Sequence, residues 1–257
     1  MNAERVLAAL NEIVEQIDKD HPDYNFKKYF DRNMNSIESS YNGAPSMMAD
    51  LCKALQMDIL KSSDKCKANR VKAVLRILKN SEKEQFTEKE QFTKAFIDED
   101  GKEIVLDGYR AICFASPVDG VPTTDNGDGF IYIKKSYFSE DISSYNKLNL
   151  ASLAELKAEL KIDKANNVGI DTGKKKRTPI YAFGISADEY NNTTPVVNLQ
   201  YLIDIVEAMP SAKATYKTHR NGNSTVYFVD DEDNRAVLLP LRYDKEYKNV
   251  LSRKVIK

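Results

Sequence analysis

The densest chemistry-bearing residues in this chain are cations rather than acids, bases or nucleophiles. Between Lys61 and Lys79, seven Lys or Arg residues stand against Asp64 alone. On a helix, Arg70, Lys72, Arg76 and Lys79 offer positive charge that phosphate oxygens attract, although an ordinary solvated face is the leading account of such a run. Lys174, Lys175, Lys176 and Arg177 form the tightest basic cluster, immediately before the apolar stretch 179–185. That placement suits a charged turn or edge that blocks unwanted strand pairing, with phosphate contact as the second account.

Groups able to make or break bonds are poorly placed. His21 precedes a proline and His219 sits beside Arg220 and Asn221 in a turn, so each reads as a surface residue rather than a general base. Asp107 with Asp119, Asp125 or Asp128 supplies carboxylates of the kind a hydrolytic metal ion needs, but no spacing fixes them together. The acidic loop at 125–129 lacks the twelfth-position glutamate of a calcium loop. No nucleophile elbow, zinc-protease helix, phosphate-binding glycine loop or dinucleotide fingerprint occurs. The expectation is binding without catalysis: no catalytic residue, no cofactor and no resident metal, with metal-dependent hydrolysis as the enzymatic alternative.

Composition and periodicity bound the scaffold that carries these groups. The 257 residues are 42% hydrophobic with a formal net charge of -1, enough for a core and too balanced to name a polyanionic partner. Cys52, Cys66 and Cys113 have no close spacing, which argues against a disulfide framework or a cysteine-rich zinc site and favours a reducing compartment. Without an apolar run of about 18 residues or a signal-peptide pattern, the expected setting is the cytoplasm with no membrane partner.

Val6, Leu7, Leu10, Val14 and Ile17 recur at helical spacing until His21 and Pro22 stop them. Helices are also expected over 46–61 and 66–78, so residues 1–80 read as a mainly helical unit. A tandem Glu-Lys-Glu-Gln-Phe-Thr repeat occupies 82–93, a local duplication whose even spacing puts Phe86 and Phe92 on one face of an extended chain. Beyond it, strand patterns at 92–97, 103–106 and 109–114 suggest a meander. A further strand is expected at 130–133, then an amphipathic helix at 150–160. Asn198 caps a helix with Leu199, Leu202, Ile203, Val206 and Met209 on its apolar side, leaving Asp204 and Glu207 exposed. Strands at 214–217, 225–229 and 236–241 close the pattern, the last two joined by an acidic, solvated turn at 230–234. The fold class is α+β, with an antiparallel domain at 81–257.

The order of Asp107-Gly-Tyr-Arg110, a strand and short helix, Val197-Asn-Leu-Gln-Tyr-Leu202, an apolar helix, and Ala236-Val-Leu-Leu-Pro-Leu-Arg242 resembles the bacterial DNA polymerase sliding clamp, its beta subunit, and clamp-like proteins of phages. The likeness covers roughly residues 90–242. In that family an Asp-Gly-Tyr/His-Arg segment lies in a strand and turn, and a hydrophobic segment ending in Met-Pro-Met/Leu-Arg closes the last domain. The resemblance implies domains of two helices and two antiparallel sheets in a non-enzymatic DNA replication factor. It also implies a possible homo-oligomer and partners that include duplex DNA and a replication or host protein. By position, Arg110, Lys157, Lys161, Lys174, Lys175, Lys176 and Arg177 become candidate DNA contacts. Leu238, Pro240, Leu241 and Arg242 become candidates for a groove that accepts a partner's short peptide. The alternative of another class is a phage or mobile-element accessory protein that binds a host protein and never touches DNA.

Overall fold

The computed structural model describes residues 2–37, 43–83, 93–124, 136–171, 176–183, 195–219 and 224–241. Along the chain the elements are α1 (Ala3–Asp20), a short 3-10 turn (Pro22–Tyr24), α2 (Phe26–Met34), α3 (Ala44–Ser63) and α4 (Lys65–Lys83). Then come β1 (Ala95–Ile97), β2 (Glu103–Leu106), β3 (Arg110–Phe114), β4 (Thr123–Thr124), α5 (Ser136–Ser139), β5 (Asn146–Leu148) and α6 (Leu153–Ala165). The chain continues through β6 (Ile180–Ala182), β7 (Val196–Asn198), α7 (Leu199–Ala208), β8 (Lys213–Thr218), β9 (Ser224–Val229) and β10 (Arg235–Leu238). The fold is α+β, and no described helix is long and apolar enough to cross a membrane.

The chain divides into two compact units, the first comprising Met1–Asp107 with Ser116–Tyr132, the second Gly108–Ala115 with Ile133–Lys257. In the first, the expected helices form because one face of each is apolar. Val14 of α1, Phe26 and Phe30 of α2, and Ala49 and Cys52 of α3 make a buried cluster, with Leu7, Leu10 and Ile17 packed against it. Asn2 caps α1 by accepting the Glu4 amide at 3.0 Å.

Helix α2 was not expected from the sequence. Its start is irregular: Asn25 lies in the left-handed region at φ 50°, and the Lys27 amide is held by Asp18 of α1 at 3.0 Å instead of by a local cap. Phe26 and Phe30, four residues apart, then anchor it. The strands β4, β1 and β2 lie side by side, β1 with β2 antiparallel and β1 with β4 parallel. The parallel pair departs from the all-antiparallel expectation, and the chain between the two strands is long enough for the crossover that such a pair needs.

The second unit orders its strands β3, β10, β9, β8 and β5, with β10 antiparallel to both β3 and β9, and β8 antiparallel to both β9 and β5. A smaller antiparallel pair joins β6 to β7. Asn198 caps α7 as expected, its Oδ1 accepting the amides of Gln200 at 2.9 Å and Tyr201 at 3.3 Å. α6 begins later than the leucine pattern suggests, because Ser152 and Glu155 form a capping box: Glu155 accepts the Ser152 amide at 2.8 Å and Ser152 accepts the Glu155 amide at 3.3 Å.

The 230–234 turn is less solvated than its acidity implies. Asp231, Glu232 and Asp233 are exposed, but Asp230 and Asn234 are buried. Asp230 accepts the Asn234 amide at 2.9 Å, and Asn234 in turn accepts the Ala115 amide at 2.9 Å, tying the turn to the end of β3. The duplicated segment and the strand expected at 130–133 lie outside the described residues, apart from the backbone of α4 at residues 82–83 and the bend at Thr93.

Candidate nucleic-acid interface

Among the basic residues, α4 carries the most regular arrangement. At about 100° per residue, Lys65, Lys72, Arg76 and Lys79 fall within about 60° of one another and span about 21 Å along the axis. Lys65 and Arg76 are exposed, and Lys72 and Lys79 are half-buried. The opposite side of the helix is core, with Val71, Val74, Ile77 and Leu78 all buried. No Asp or Glu interrupts the sequence from Lys65 to Ser81. Of the four cations expected on this helix, Arg70 is the one that falls off the stripe, and Lys65 takes its place. The signal was available in the sequence, as the spacing of seven, four and three residues, once the helix is known to begin at Lys65.

Arg110 is corrected from a DNA contact to a structural residue. Its guanidinium is 2% exposed and its Nη1 donates to Asp204 Oδ2 at 2.6 Å. The same group lies 4.3 Å from the centroid of the Tyr201 ring, where the ring's negative face attracts it. Gly108, at φ +85°, makes the turn that brings Arg110 into β3.

The expectation that Asp204 and Glu207 are exposed is overturned by the same packing, since α7 is buried around most of its circumference. A buried carboxylate needs a partner. Asp204 has Arg110 and also accepts from Gln200 at 3.1 Å, while Glu207 pairs with Lys157 of α6.

The other candidate cations divide by environment. Lys157 is committed to Glu207, and Lys164 donates to Gln200 at 3.2 Å. Lys161 and Lys176 are exposed. Arg177 is half-buried: its amide donates to Asn167 at 3.0 Å and its Nη1 to the Gly169 carbonyl at 3.1 Å. Gly169 is required there, because a Cβ would stand 2.2 Å from the Thr178 carbonyl oxygen. Lys174 and Lys175 lie outside the described residues.

Among the described residues, the groove candidates Leu238, Pro240 and Leu241 do not form one surface. Leu238 is fully buried in β10, opposite Arg110, so it is corrected to a core residue. Pro240 is half-buried. Leu241 packs on the cluster of Ile170, Ile180 and Val196 and donates its amide to the Val196 carbonyl at 2.9 Å. Arg242 lies outside the described residues. β10 ends at Leu238, and Leu239, just beyond it, is 46% exposed. Its amide donates to the Tyr109 carbonyl at 2.9 Å, and the exposed Tyr109 ring stands 5.8 Å from that of Tyr201.

Among the described residues weighed for catalysis, His21, His219 and Asp107 each have a separate partner. His21 stacks on Tyr24 at 5.1 Å, and His219 Nε2 is 2.9 Å from Thr225 Oγ1. Asp107 accepts from Asn80 of α4 at 3.0 Å, and Asp125 and Asp128 lie outside the described residues. Among the described residues no group of three or more His, Cys, Asp or Glu is arranged to hold a metal ion.

Comparison with protein-family models, curated proteins and solved structures finds no match.

Proposed function

We propose that this chain is a non-enzymatic, DNA-associated binding protein whose second unit is a clamp-type domain. The observation that carries the DNA association is the uninterrupted basic stripe on α4, set opposite a buried apolar face. Cations so spaced on a rigid helix meet backbone phosphates without reading bases, so affinity arises from counterion release. What supports the clamp-type reading is the content of the second unit: α6 packed beside α7, and two antiparallel sheets. The exposed Tyr109 and Leu239 favour a second reading, an accessory protein that grips a protein partner through an apolar patch.

Fluorescence anisotropy on a short duplex between 50 and 200 mM salt separates the two. Four phosphate contacts give a slope of log K on log salt of about -3.6, a loss on the order of 100-fold over that range. Lys72→Glu with Arg76→Glu is expected to flatten the slope by about 1.8. Lys161→Glu with Lys176→Glu measures what the second unit adds. Absence of binding at 50 mM, or an unchanged slope in the α4 variant, overturns the assignment to α4.

A further inference from the structure

Within the first unit, Leu7, Leu60 and Leu75 from three helices and Asp119, Val121 and Pro122 from one loop line a cleft of about 580 Å³. The loop, residues 116–122, is pinned at its far end. The Pro122 carbonyl accepts the Ala95 amide at 2.8 Å, and the Asn35 side chain clasps the Thr123 backbone at 3.2 and 3.4 Å. Glu103 of β2 holds its middle by accepting the Val118 amide at 2.8 Å.

Glu103 is fully buried, and its second oxygen, Oε1, has no hydrogen-bond partner. A neutral carboxyl tolerates such a site far better than a carboxylate does. We propose that Glu103 is a proton-controlled latch on this loop: protonated, it closes that wall of the cleft, and ionised, it draws in water and releases residues 116–122.

The charges around the latch agree with this direction. β1 sets Ile97 opposite Glu103, so no charge comes from its paired residue, while Asp98 follows at the strand end. The charged residues of α4 are Lys65, Lys67, Arg70, Lys72, Arg76 and Lys79, with Glu82 and Lys83 in its last turn. The loop contributes Asp119. Of these, Asp119 is the charge that bears on Glu103, and it repels the ionised form. Burial, with that repulsion added and the Val118 bond opposing, pushes the Glu103 carboxyl up to about 7. The device is independent of the DNA reading, since it needs no ligand to operate.

Amide hydrogen exchange on the full chain, scored as protection relative to an unstructured chain at the same pH, tests it. Between pH 5 and 8 the protection of Val118 is expected to fall on the order of 50-fold. In Glu103→Gln the protection is expected to stay level, with the neutral amide keeping an acceptor for Val118. Asp119→Asn, at an exposed position, is expected to shift the midpoint of the fall to lower pH. Equal protection of the wild-type loop at both pH values, or a fall that persists in Glu103→Gln, overturns the latch.

Discussion

Replacing Arg110 with Met is expected to destabilise the second unit by about 3–5 kcal/mol, because it leaves the Asp204 carboxylate buried without its countercharge. Asp204 is 1% exposed, and the bond it accepts from Gln200 at 3.1 Å comes from a neutral amide that cannot replace the guanidinium charge. A loss of that size is a large part of the roughly 5–15 kcal/mol that holds a typical domain together. The double variant Arg110→Met with Asp204→Leu removes both charges, and is expected to recover most of the loss because the pair's attraction largely offsets its own desolvation. Urea unfolding of the singles and the double forms the cycle that isolates the pair. A single-variant cost below about 1 kcal/mol contradicts a structural role for the ion pair.

Glu103→Gln is the second large effect, and its sign depends on pH. The native carboxyl titrates at about 7, above its ordinary range, so the folded state binds the proton more tightly than the unfolded state does. The stability this contributes is complete below the ordinary carboxylate range. It is lost as pH rises toward about 7, and it levels off beyond. The wild type is therefore expected to weaken by up to about 3 kcal/mol between pH 4.5 and 8, while Glu103→Gln is not. Early opening of the loop reduces that figure without changing its sign. Unfolding curves at the two pH values check it, and a difference between the proteins that does not vary with pH contradicts the account.

These two groups also mark the limit of what pattern alone reveals. The apolar spacing of α1, α3 and α4 and the Asn198 cap of α7 are local signals, so those helices are legible in the sequence. α2 is not, because its start depends on Asp18 of another helix and on a left-handed Asn25. The reach of Arg110 to a residue 94 positions away likewise leaves no local trace. Asp204 and Glu207 therefore look like the solvated side of an amphipathic helix, whereas each is buried against a cation. The clamp resemblance places Leu238 in a groove, whereas the consecutive burial of Ala236, Val237 and Leu238 makes it part of the core. For the α4 stripe the information was present, and a helix start one residue away from the expected one was enough to hide Lys65.

The central claim, association with duplex DNA by a clamp-type chain, is tested most directly by retention on nicked circular duplex at 50 mM salt, before and after the circle is linearised. A clamp-type chain is expected to be an oligomer in light scattering that stays on the circle, slides off the linear form, and is lost as salt rises. A monomer that is retained on neither form contradicts it, and leaves the patch at Tyr109 and Leu239 as the surface to pursue.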